Sequence, residues 1–381
     1  MNVVSAAEPG QFGVLGVQTG RDWPCLTAEE IRAVLAHYPG VVPGGTCAWH
    51  SMRPFSAAAL VTGAGEACLI KRHHSSLRNV AALSEEHAFM QHLAREGVPV
   101  CLPCVTAEGT TALAHNDWTY EVFPRAPGED MYRDVMSWQP YLCPEHAYAA
   151  GQALARLHHA AASYTAPDRA AGRVLISSMA VIGQADLMAA LQAWVPAQPG
   201  LAQALRSRSW QEDVQRVLSP WHDRLVPLLP EIVPCGGHGD WHGSNLLWTP
   251  QGDIACVLDF GMAGRTCAMF DLATALERSM VDWLAPAQER HVAWQDMAAF
   301  LRGYATISPP DDTARALLRA FLPLVHVEFA LSEVAYFETL LHDPSSASVA
   351  YDDYLLGHAQ WFNSAEGQAM LDVCSRRGTG A

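Results

Sequence analysis

Three polar residues between positions 238 and 261 have the types and order that phosphoryl transfer requires. Asp240 and Asn245 stand five positions apart in the run His-Gly-Asp-Trp-His-Gly-Ser-Asn, and Asp259 opens a later Asp-Phe-Gly. Phosphoryl transfer needs a carboxylate that orients the attacking hydroxyl and metal ions that bridge the phosphates. Amide and carboxylate oxygens are ligands that suit Mg²⁺.

A predicted β-hairpin explains how these residues meet. Apolar runs at 246–248 and 254–258 flank the turn Thr-Pro-Gln-Gly-Asp. A hairpin brings its two ends together, so Asn245 before the first strand and Asp259 after the second can face one ion. Asp240 is then placed to reach an acceptor hydroxyl. An isolated Asp and Asn at this spacing would be ordinary turn and cap residues, but the complete ordered set favours chemistry.

Lys71 is the second candidate, because the chain has 24 Lys plus Arg residues and only this one is lysine. It ends a predicted strand, and Glu86 lies on the apolar face of a predicted helix that follows. A carboxylate on an apolar face is costly without a partner. We therefore expect Lys71 to pair with Glu86 and to hold its ammonium against nucleotide phosphates. A purely structural ion pair is the alternative.

The elements that must position these residues change in type along the chain. A strand-rich first part contains a helix capped by Thr27 with Glu30 in the capping-box position. The run Pro-Arg-Ala-Pro-Gly-Glu-Asp at 124–130 breaks regular structure, and mainly helical periodicity follows it. We predict an α+β chain with an N-terminal lobe at 1–123, a hinge at 124–130 and a C-terminal lobe at 131–381.

Composition limits the classes of function. The formal charge of −15 argues against a nucleic-acid partner. No apolar run approaches the ~20 residues that span a bilayer, and the first twenty residues lack the pattern of a secretory signal. We expect a cytoplasmic protein without a membrane partner, either a monomer or a homodimer. Ten scattered cysteines, including the Cys101/Cys104 pair, are expected to be buried hydrophobes.

Three sequence blocks together resemble the aminoglycoside phosphotransferase/choline kinase family, which includes homoserine kinases of the second type. They are His238 to Asn245, Val257-Leu-Asp-Phe-Gly261 and Phe270-Asp-Leu-Ala-Thr274. The likeness extends from about residue 27 to 340. It implies a two-lobed protein-kinase-like fold, with a small antiparallel-sheet N-lobe, a larger mainly helical C-lobe and ATP in the cleft between them.

The resemblance also implies roles for individual residues. Asp240 would be the catalytic base, and Asn245 and Asp259 would bind Mg²⁺. Lys71 and Glu86 would anchor the phosphates. The adenine would meet backbone at Glu121, Val122 and Phe123. One departure concerns the phosphate-covering loop, since His50 to Ala58 contains no Gly-x-Gly-x-x-Gly and its contacts stay unassigned.

The predicted function is ATP- and Mg²⁺-dependent transfer of the γ-phosphate to a hydroxyl of a small molecule, such as an amino alcohol, hydroxy amino acid, sugar or aminoglycoside. A protein serine/threonine kinase is an alternative, although no Ala-Pro-Glu segment follows Asp259. Further alternatives are a metallohydrolase built on His238, Asp240 and His242 and a catalytically impaired kinase-like binding module.

Three supporting expectations concern residues around this centre. Asp271 is expected to accept hydrogen bonds from the backbone of the catalytic loop, and His238 to brace the Asp-Phe-Gly segment. Acidic side chains near the C-terminus would hold a substrate amine or lie on a solvated helix face; they are Glu328, Glu333 and Glu338.

Overall fold

A five-stranded antiparallel sheet forms the N-terminal part of the computed structural model, which describes residues 22–41, 45–51, 55–63, 67–165, 169 and 174–376. The strand order is β1-β2-β3-β5-β4. The predicted covering loop at 50–58 lies partly outside the described residues. The strands are β1 (Thr46–His50), β2 (Ala57–Thr62), β3 (Ala67–His74), β4 (Leu113–His115) and β5 (Trp118–Pro124).

Two helices accompany this sheet. Helix α1 (Ala28–Leu35) begins with the predicted capping box, in which Thr27 and Glu30 bond each other's backbone N–H. Helix α2 (Val80–Arg95) is the predicted helix that carries Glu86, and the side chain of Asn79 caps its start. Its apolar residues, including Phe89 and Leu93, pack into the large core of the C-terminal part and not into the core of the sheet. His87 of the same helix lies 2.8 Å from Glu121 of β5, so α2 contacts both parts of the chain.

The C-terminal part is mainly helical, so the predicted α+β class is confirmed. Two short sheets interrupt it, β6 (Pro234–Gly237) with β9 (Gly264–Cys267) and β7 (Leu246–Trp248) with β8 (Ile254–Val257). Its helices are α3 (Pro144–Ala161), α4 (Leu187–Ala197), α5 (Leu201–Ala204), α6 (Trp210–Val217), α7 (Ser219–Leu225), α8 (Ala268–Met280), α9 (Trp294–Ala305), α10 (Asp312–Phe321), α11 (Val327–Ala335), α12 (Pro344–Val349), α13 (Gly357–Trp361) and α14 (Ala365–Ser375).

Two segments of this region have the wider π-helical turn, Tyr336–Leu341 and Ala350–Leu356. The first continues α11 directly, and the second lies between α12 and α13. Such segments are rare and often occur at functional sites. Among the described helices, none is both long and apolar enough to cross a membrane.

The segment after β5 is docked on the β7–β8 hairpin. Glu129 and Trp248 exchange backbone hydrogen bonds of 2.8 and 3.0 Å. Gly128 has a φ of +99°, and a Cβ there would lie 2.6 Å from the Cβ of Ala255, so glycine suits this position on two grounds. The connection is thus fixed to the element that carries the predicted metal ligands, and 124–130 remains our proposed boundary between the lobes.

Helices α3 and α9 cross at a pair of glycines. A Cβ on Gly151 would lie 2.1 Å from the carbonyl oxygen of Phe300, and one on Gly303 would lie 2.1 Å from that of Tyr148. The two backbones are therefore in direct contact. This crossing also carries a hydrogen bond of 2.9 Å between the side chains of His158 and Tyr304.

We predict that Gly303→Ala destabilises the protein by about 2 kcal/mol or more, because the added methyl group forces two packed helix backbones apart. Gly40→Ala is the matched control, since a Cβ there meets no atom within 4 Å. Urea unfolding of both variants measures the difference. Equal stability of the two variants would contradict the close crossing.

Candidate active site

The loop that follows β6 is held by one buried carboxylate, that of Asp271 in the first turn of α8. Its two oxygens accept hydrogen bonds of 2.7 Å from the backbone N–H groups of His238 and Gly239. His158 Nε2 lies 2.9 Å from one of the same oxygens. Burial alone would raise the pKa of Asp271, but these bonds and the neighbouring histidines lower it below its ordinary value. The predicted role of Asp271 agrees with the structure.

His238 braces the loop against the end of the hairpin. Its Nε2 lies 2.8 Å from the carbonyl oxygen of Leu258, and its Nδ1 accepts a 3.2 Å bond from the backbone N–H of Asp240. The centroid of its ring also lies 4.8 Å from the centroid of the Phe260 ring. Since both ring nitrogens serve backbone groups, His238 has the structural role that the sequence indicated.

Asp240 projects from this loop and is surrounded by polar groups. Arg278 Nη1 lies 2.8 Å from Oδ1, and Asn245 Nδ2 donates a 3.0 Å bond to Oδ2. His242 Nε2 lies 3.5 Å from Oδ2. Burial opposes ionisation, yet the Arg278 guanidinium and His242 hold the pKa of Asp240 far below its ordinary value. The carboxylate is ionised and fixed in orientation.

The hairpin brings Asn245 and Asp259 together as predicted. Leu258 N–H donates a 2.8 Å bond to the backbone carbonyl of Asn245. The Asn245 amide nitrogen donates to both the backbone and the side chain of Asp240. Within the described residues, no hydrogen bond occupies the Asn245 side-chain oxygen, which therefore remains available to a metal ion.

Asp259 turns toward the sheet of the N-terminal part. Its φ of 56° is unusual for a residue other than glycine, and its side chain is 42% exposed. Lys71 Nζ lies 2.9 Å from Asp259 Oδ1, an ion pair that joins β3 to the end of the hairpin. Although burial favours the neutral acid, the Lys71 ammonium lowers the pKa of Asp259. The carboxylate is thus in the form that binds cations.

The prediction that Lys71 pairs directly with Glu86 is wrong. Glu86 Oε2 lies 3.3 Å from Arg169 Nη2, whereas Lys71 pairs with Asp259. Glu86 still acts on Lys71 from a longer distance. Burial would lower the pKa of Lys71, but the charges of Asp259, Glu121 and Glu86 together raise it. Arg169, from another segment of the chain, satisfies the carboxylate for which the sequence suggested Lys71.

Glu121 has a structural role that the sequence did not predict. Its side chain is buried and lies 2.9 Å from His73 Nε2 and 2.8 Å from His87 Nε2. The neighbouring backbone is also engaged, because the Val122 carbonyl accepts a 2.7 Å bond from Cys104. Phe123 is paired with Leu69 in the sheet. Of the three residues predicted to meet adenine, none presents a fully open backbone.

The donor set fits a magnesium ion that shares its shell with phosphates. Mg²⁺ is commonly held by one or two protein ligands together with substrate oxygens, and Asn245 with Asp259 supplies two. Across the described ranges, no group of three or more His, Cys, Asp or Glu side chains could hold a metal ion. With His238 bound to backbone, the structure gives the metallohydrolase alternative no support.

Arg278 is the main site residue that the sequence analysis missed. It is 2% exposed and lies in the last turn of α8. Asp271 stands seven positions earlier, two turns away on the same helix face, and holds the start of the loop. This spacing was a detectable signal. Asp271 of α8 contacts the start of the segment 238–240, and Arg278 of the same helix contacts its end.

Comparison with known proteins identifies the family to which this chain belongs. Residues 55–309 match the model of the phosphotransferase enzyme family, and the chain belongs to that family. Homoserine kinase from Granulibacter bethesdensis is 26% identical over 218 residues, which cover 57% of this chain and 59% of that one. Stress response kinase A from Salmonella choleraesuis is 27% identical over 185 residues, 47% of this chain and 48% of its own length. The chain thus spans roughly half of these relatives.

Solved structures confirm the protein-kinase-like fold. A microcompartment-associated aminopropanol kinase superposes with a TM-score of 0.57 at 19% identity, covering 90% of this chain and 99% of that chain. The amicoumacin kinase hAmiN, in complex with AMP-PNP, Ca²⁺ and Ami, gives a TM-score of 0.55 at 19% identity and 92% coverage of both chains. The phosphotransferase enzyme predicted from the sequence is therefore confirmed at the level of family and fold.

We predict that Asp271→Asn lowers the free energy of unfolding by about 3 kcal/mol at neutral pH, because asparagine cannot accept both loop N–H groups with a charged oxygen. The folded-state pKa of Asp271 lies below its ordinary 3.8. The stabilisation is therefore complete above the unfolded pKa and is lost as pH falls through the folded value. Denaturant unfolding at several pH values measures both effects. A difference between the proteins that grows on acidification would contradict this account.

Proposed function

We propose that this protein transfers the γ-phosphate of ATP, with Mg²⁺, to a hydroxyl group of a small molecule. The observation that carries the proposal is the 2.9 Å contact between Lys71 and Asp259, which lies beside the bonded pair Asp240 and Asn245. One ammonium, two carboxylates and one amide thus lie together where the sheet meets the hairpin, and we assign phosphate binding to Lys71, metal binding to Asp259 and Asn245, and proton acceptance to Asp240. Phosphoryl transfer requires this combination of groups.

The chemistry assigned to this chain's residues is positioning and proton acceptance. The acceptor oxygen forms a bond to the γ-phosphorus, the bond from that phosphorus to the ADP oxygen breaks, and the hydroxyl proton passes to Asp240. Lys71 supplies positive charge to the phosphates, and Asn245 and Asp259 would hold the metal. When bound, Mg²⁺ neutralises the phosphate charge that develops during transfer.

We propose that the adenine binds at Glu121, Val122 and Phe123. Hydrogen bonds within the protein already occupy part of this segment. The side chain of Glu121 is occupied by two histidines, and the Val122 carbonyl already accepts a bond. Phe123, which is half-buried, is the residue of the three that is best placed to touch a base with its side chain. Backbone contacts would then come from the chain directly after β5.

A small-molecule acceptor is supported by two similar proteins, a homoserine kinase and an aminopropanol kinase. The protein kinase alternative rests on a Salmonella typhimurium relative, 27% identical over 185 residues, that carries the name serine/threonine protein kinase RdoA. Only a short run separates Asp259 from Asp271 here. That leaves no room for a long activation loop, so we favour the small molecule.

We predict that Asp240→Asn lowers kcat for phosphoryl transfer by about 100-fold or more, because the amide cannot accept the hydroxyl proton. Binding of ATP should change little, since Asp240 faces the acceptor. Coupled ADP release gives kcat, and equilibrium titration with AMP-PNP gives the affinity. The control is Asp253→Asn in the exposed hairpin turn. Turnover by Asp240→Asn at the rate of this control would refute the mechanism.

We predict that Lys71→Arg reduces kcat/KM for ATP at least about 10-fold, because a planar guanidinium does not reproduce a compact ammonium 2.9 Å from Asp259. Steady-state kinetics with varied ATP tests this effect. Arg95→Lys, an exchange of the same two residue types at an exposed helix end, is the control. Unchanged ATP kinetics in Lys71→Arg would contradict the argument that this site requires the single lysine of the chain.

A further inference from the structure

The backbone at Asp259 has a conformation that its surroundings must hold. Its φ of 56° lies in the left-handed region, which residues other than glycine rarely adopt. Such conformations persist only where neighbouring contacts fix them. On the N-terminal side, the carbonyl oxygen of Leu258 lies 2.8 Å from His238 Nε2. The contacts on the C-terminal side must fix the other end of this turn.

Two arginines hold the backbone that directly follows Asp259. Arg78 Nη2 donates a 2.7 Å hydrogen bond to the carbonyl oxygen of Gly261. Arg169 Nη1 donates to the same oxygen at 3.1 Å and to the carbonyl oxygen of Ala263 at 2.8 Å. Hydrogen bonds from charged donors are stronger than those from neutral donors. These bonds therefore fix the path of the turn and the direction in which the Asp259 side chain leaves it.

Arg78 is itself held in place by other segments. It is 5% exposed, and its Nη1 donates to the carbonyl oxygens of Leu77 at 2.9 Å and Val174 at 3.3 Å. Burial and the charge of Arg169 lower the pKa of Arg78 to about 10, so the guanidinium is charged at neutral pH. A planar guanidinium with five N–H groups can serve carbonyls of several segments at once, which an ammonium on a flexible stem does less well.

Arg169 connects the same turn to helix α2. Its Nη2 donates a 3.1 Å bond to the carbonyl oxygen of Ala82 and lies 3.3 Å from Glu86 Oε2. The side chains of Arg169 and Glu86 are only 9% and 5% exposed, so salt in the solvent screens their attraction little. One guanidinium thus joins the Glu86 carboxylate to the carbonyls of Gly261 and Ala263.

The Asp259 carboxylate lies beside two cations. Lys71 Nζ is 2.9 Å from its Oδ1. A Cβ on Gly261 would lie 3.2 Å from the same oxygen and 3.4 Å from Arg78 Nη2, so the carboxylate and the Arg78 guanidinium are both next to this glycine. Groups that orient a metal ligand change metal affinity even where they do not touch the ion.

We propose that Arg78 and Arg169 are positioning residues for Asp259, and that Glu86 acts on Asp259 through Arg169. The family resemblance implied a different route, in which Glu86 anchors phosphates together with Lys71. The proposal rests on the proposed function, because it concerns how the same site orients its metal ligand. Loss of either arginine, or of Glu86, releases the turn after Asp259 and weakens metal binding.

The first test measures the turn in the protein without metal or nucleotide. Hydrogen–deuterium exchange is followed in a peptide that covers 258–263, where the amides of Leu258 and Ala263 are hydrogen-bonded. Arg169→Lys and Glu86→Gln should each speed exchange in this peptide by about 10-fold or more, the effect of losing one charge-assisted hydrogen bond. Arg78→Lys should act in the same direction.

Two matched controls separate this effect from a general loss of charge. Arg208 is a half-buried arginine that donates a 3.1 Å bond to Ser348 and lies 3.9 Å from Asp352. Arg208→Lys and Glu96→Gln, at the exposed end of α2, should leave exchange at 258–263 unchanged. Exchange in α14 should be the same in every variant, which shows that the variants are folded.

The second test measures metal binding by electron paramagnetic resonance, with Mn²⁺ titrated in the presence of AMP-PNP. The dissociation constant should rise about 10-fold in Arg78→Lys, Arg169→Lys and Glu86→Gln, the usual effect of removing a group that orients a metal ligand. The double variant Glu86→Gln/Arg169→Lys should bind within about 2-fold of the weaker single variant, because both changes remove one contact.

The outcomes separate this proposal from the proposed function. If the unaltered protein bound Mn²⁺ with AMP-PNP and both arginine variants matched Arg208→Lys in exchange and affinity, the positioning role would be overturned and the kinase function would stand. Weaker Mn²⁺ binding in Glu86→Gln with no change in Arg169→Lys would overturn the route through Arg169, as would additive losses in the double variant. If the unaltered protein bound no Mn²⁺ with AMP-PNP, both proposals would fall.

Discussion

The buried carboxylate of Asp271 is the interaction on which the proposed centre depends. It accepts hydrogen bonds from the backbone N–H groups of His238 and Gly239 in the proposed catalytic loop, and His158 and Tyr304 support it from the crossing of α3 and α9. Through Asp271, the packing of these helices fixes the position of the short loop. Because the loop begins at a fixed point, Asp240 two residues later is also fixed, and Arg278 restrains it from the other end of α8.

A second connection joins the sheet to this fixed loop. The Lys71–Asp259 ion pair is partly exposed, so its own contribution to stability is small. Its importance lies in position, since it brings Lys71 of β3, which we propose binds phosphate, to the end of the hairpin that we propose binds the metal. Helix α2, which packs on the large core, holds the sheet at this distance. The site is therefore built by elements from both the N-terminal and the C-terminal part of the chain.

Much of this arrangement could be predicted because it depends on local sequence. The hairpin, the capped helices and the order of Asp240, Asn245 and Asp259 each follow from neighbouring residues. The pairing of Lys71 could not be predicted, because Glu86 and Asp259 were both acceptable partners and Arg169 lies far away in sequence. The histidine partners of Glu121 and the burial of Glu333 depend in the same way on tertiary packing, which periodicity does not encode.

The central claim is that Asn245 and Asp259 hold a metal–nucleotide complex beside Asp240. Electron paramagnetic resonance of Mn²⁺, titrated into the protein with AMP-PNP, measures this binding directly and requires no acceptor. The account predicts that Asp259→Asn weakens Mn²⁺–AMP-PNP binding strongly, while Asp253→Asn binds like the unaltered protein. Equal Mn²⁺ binding by Asp259→Asn and the unaltered protein would contradict the account.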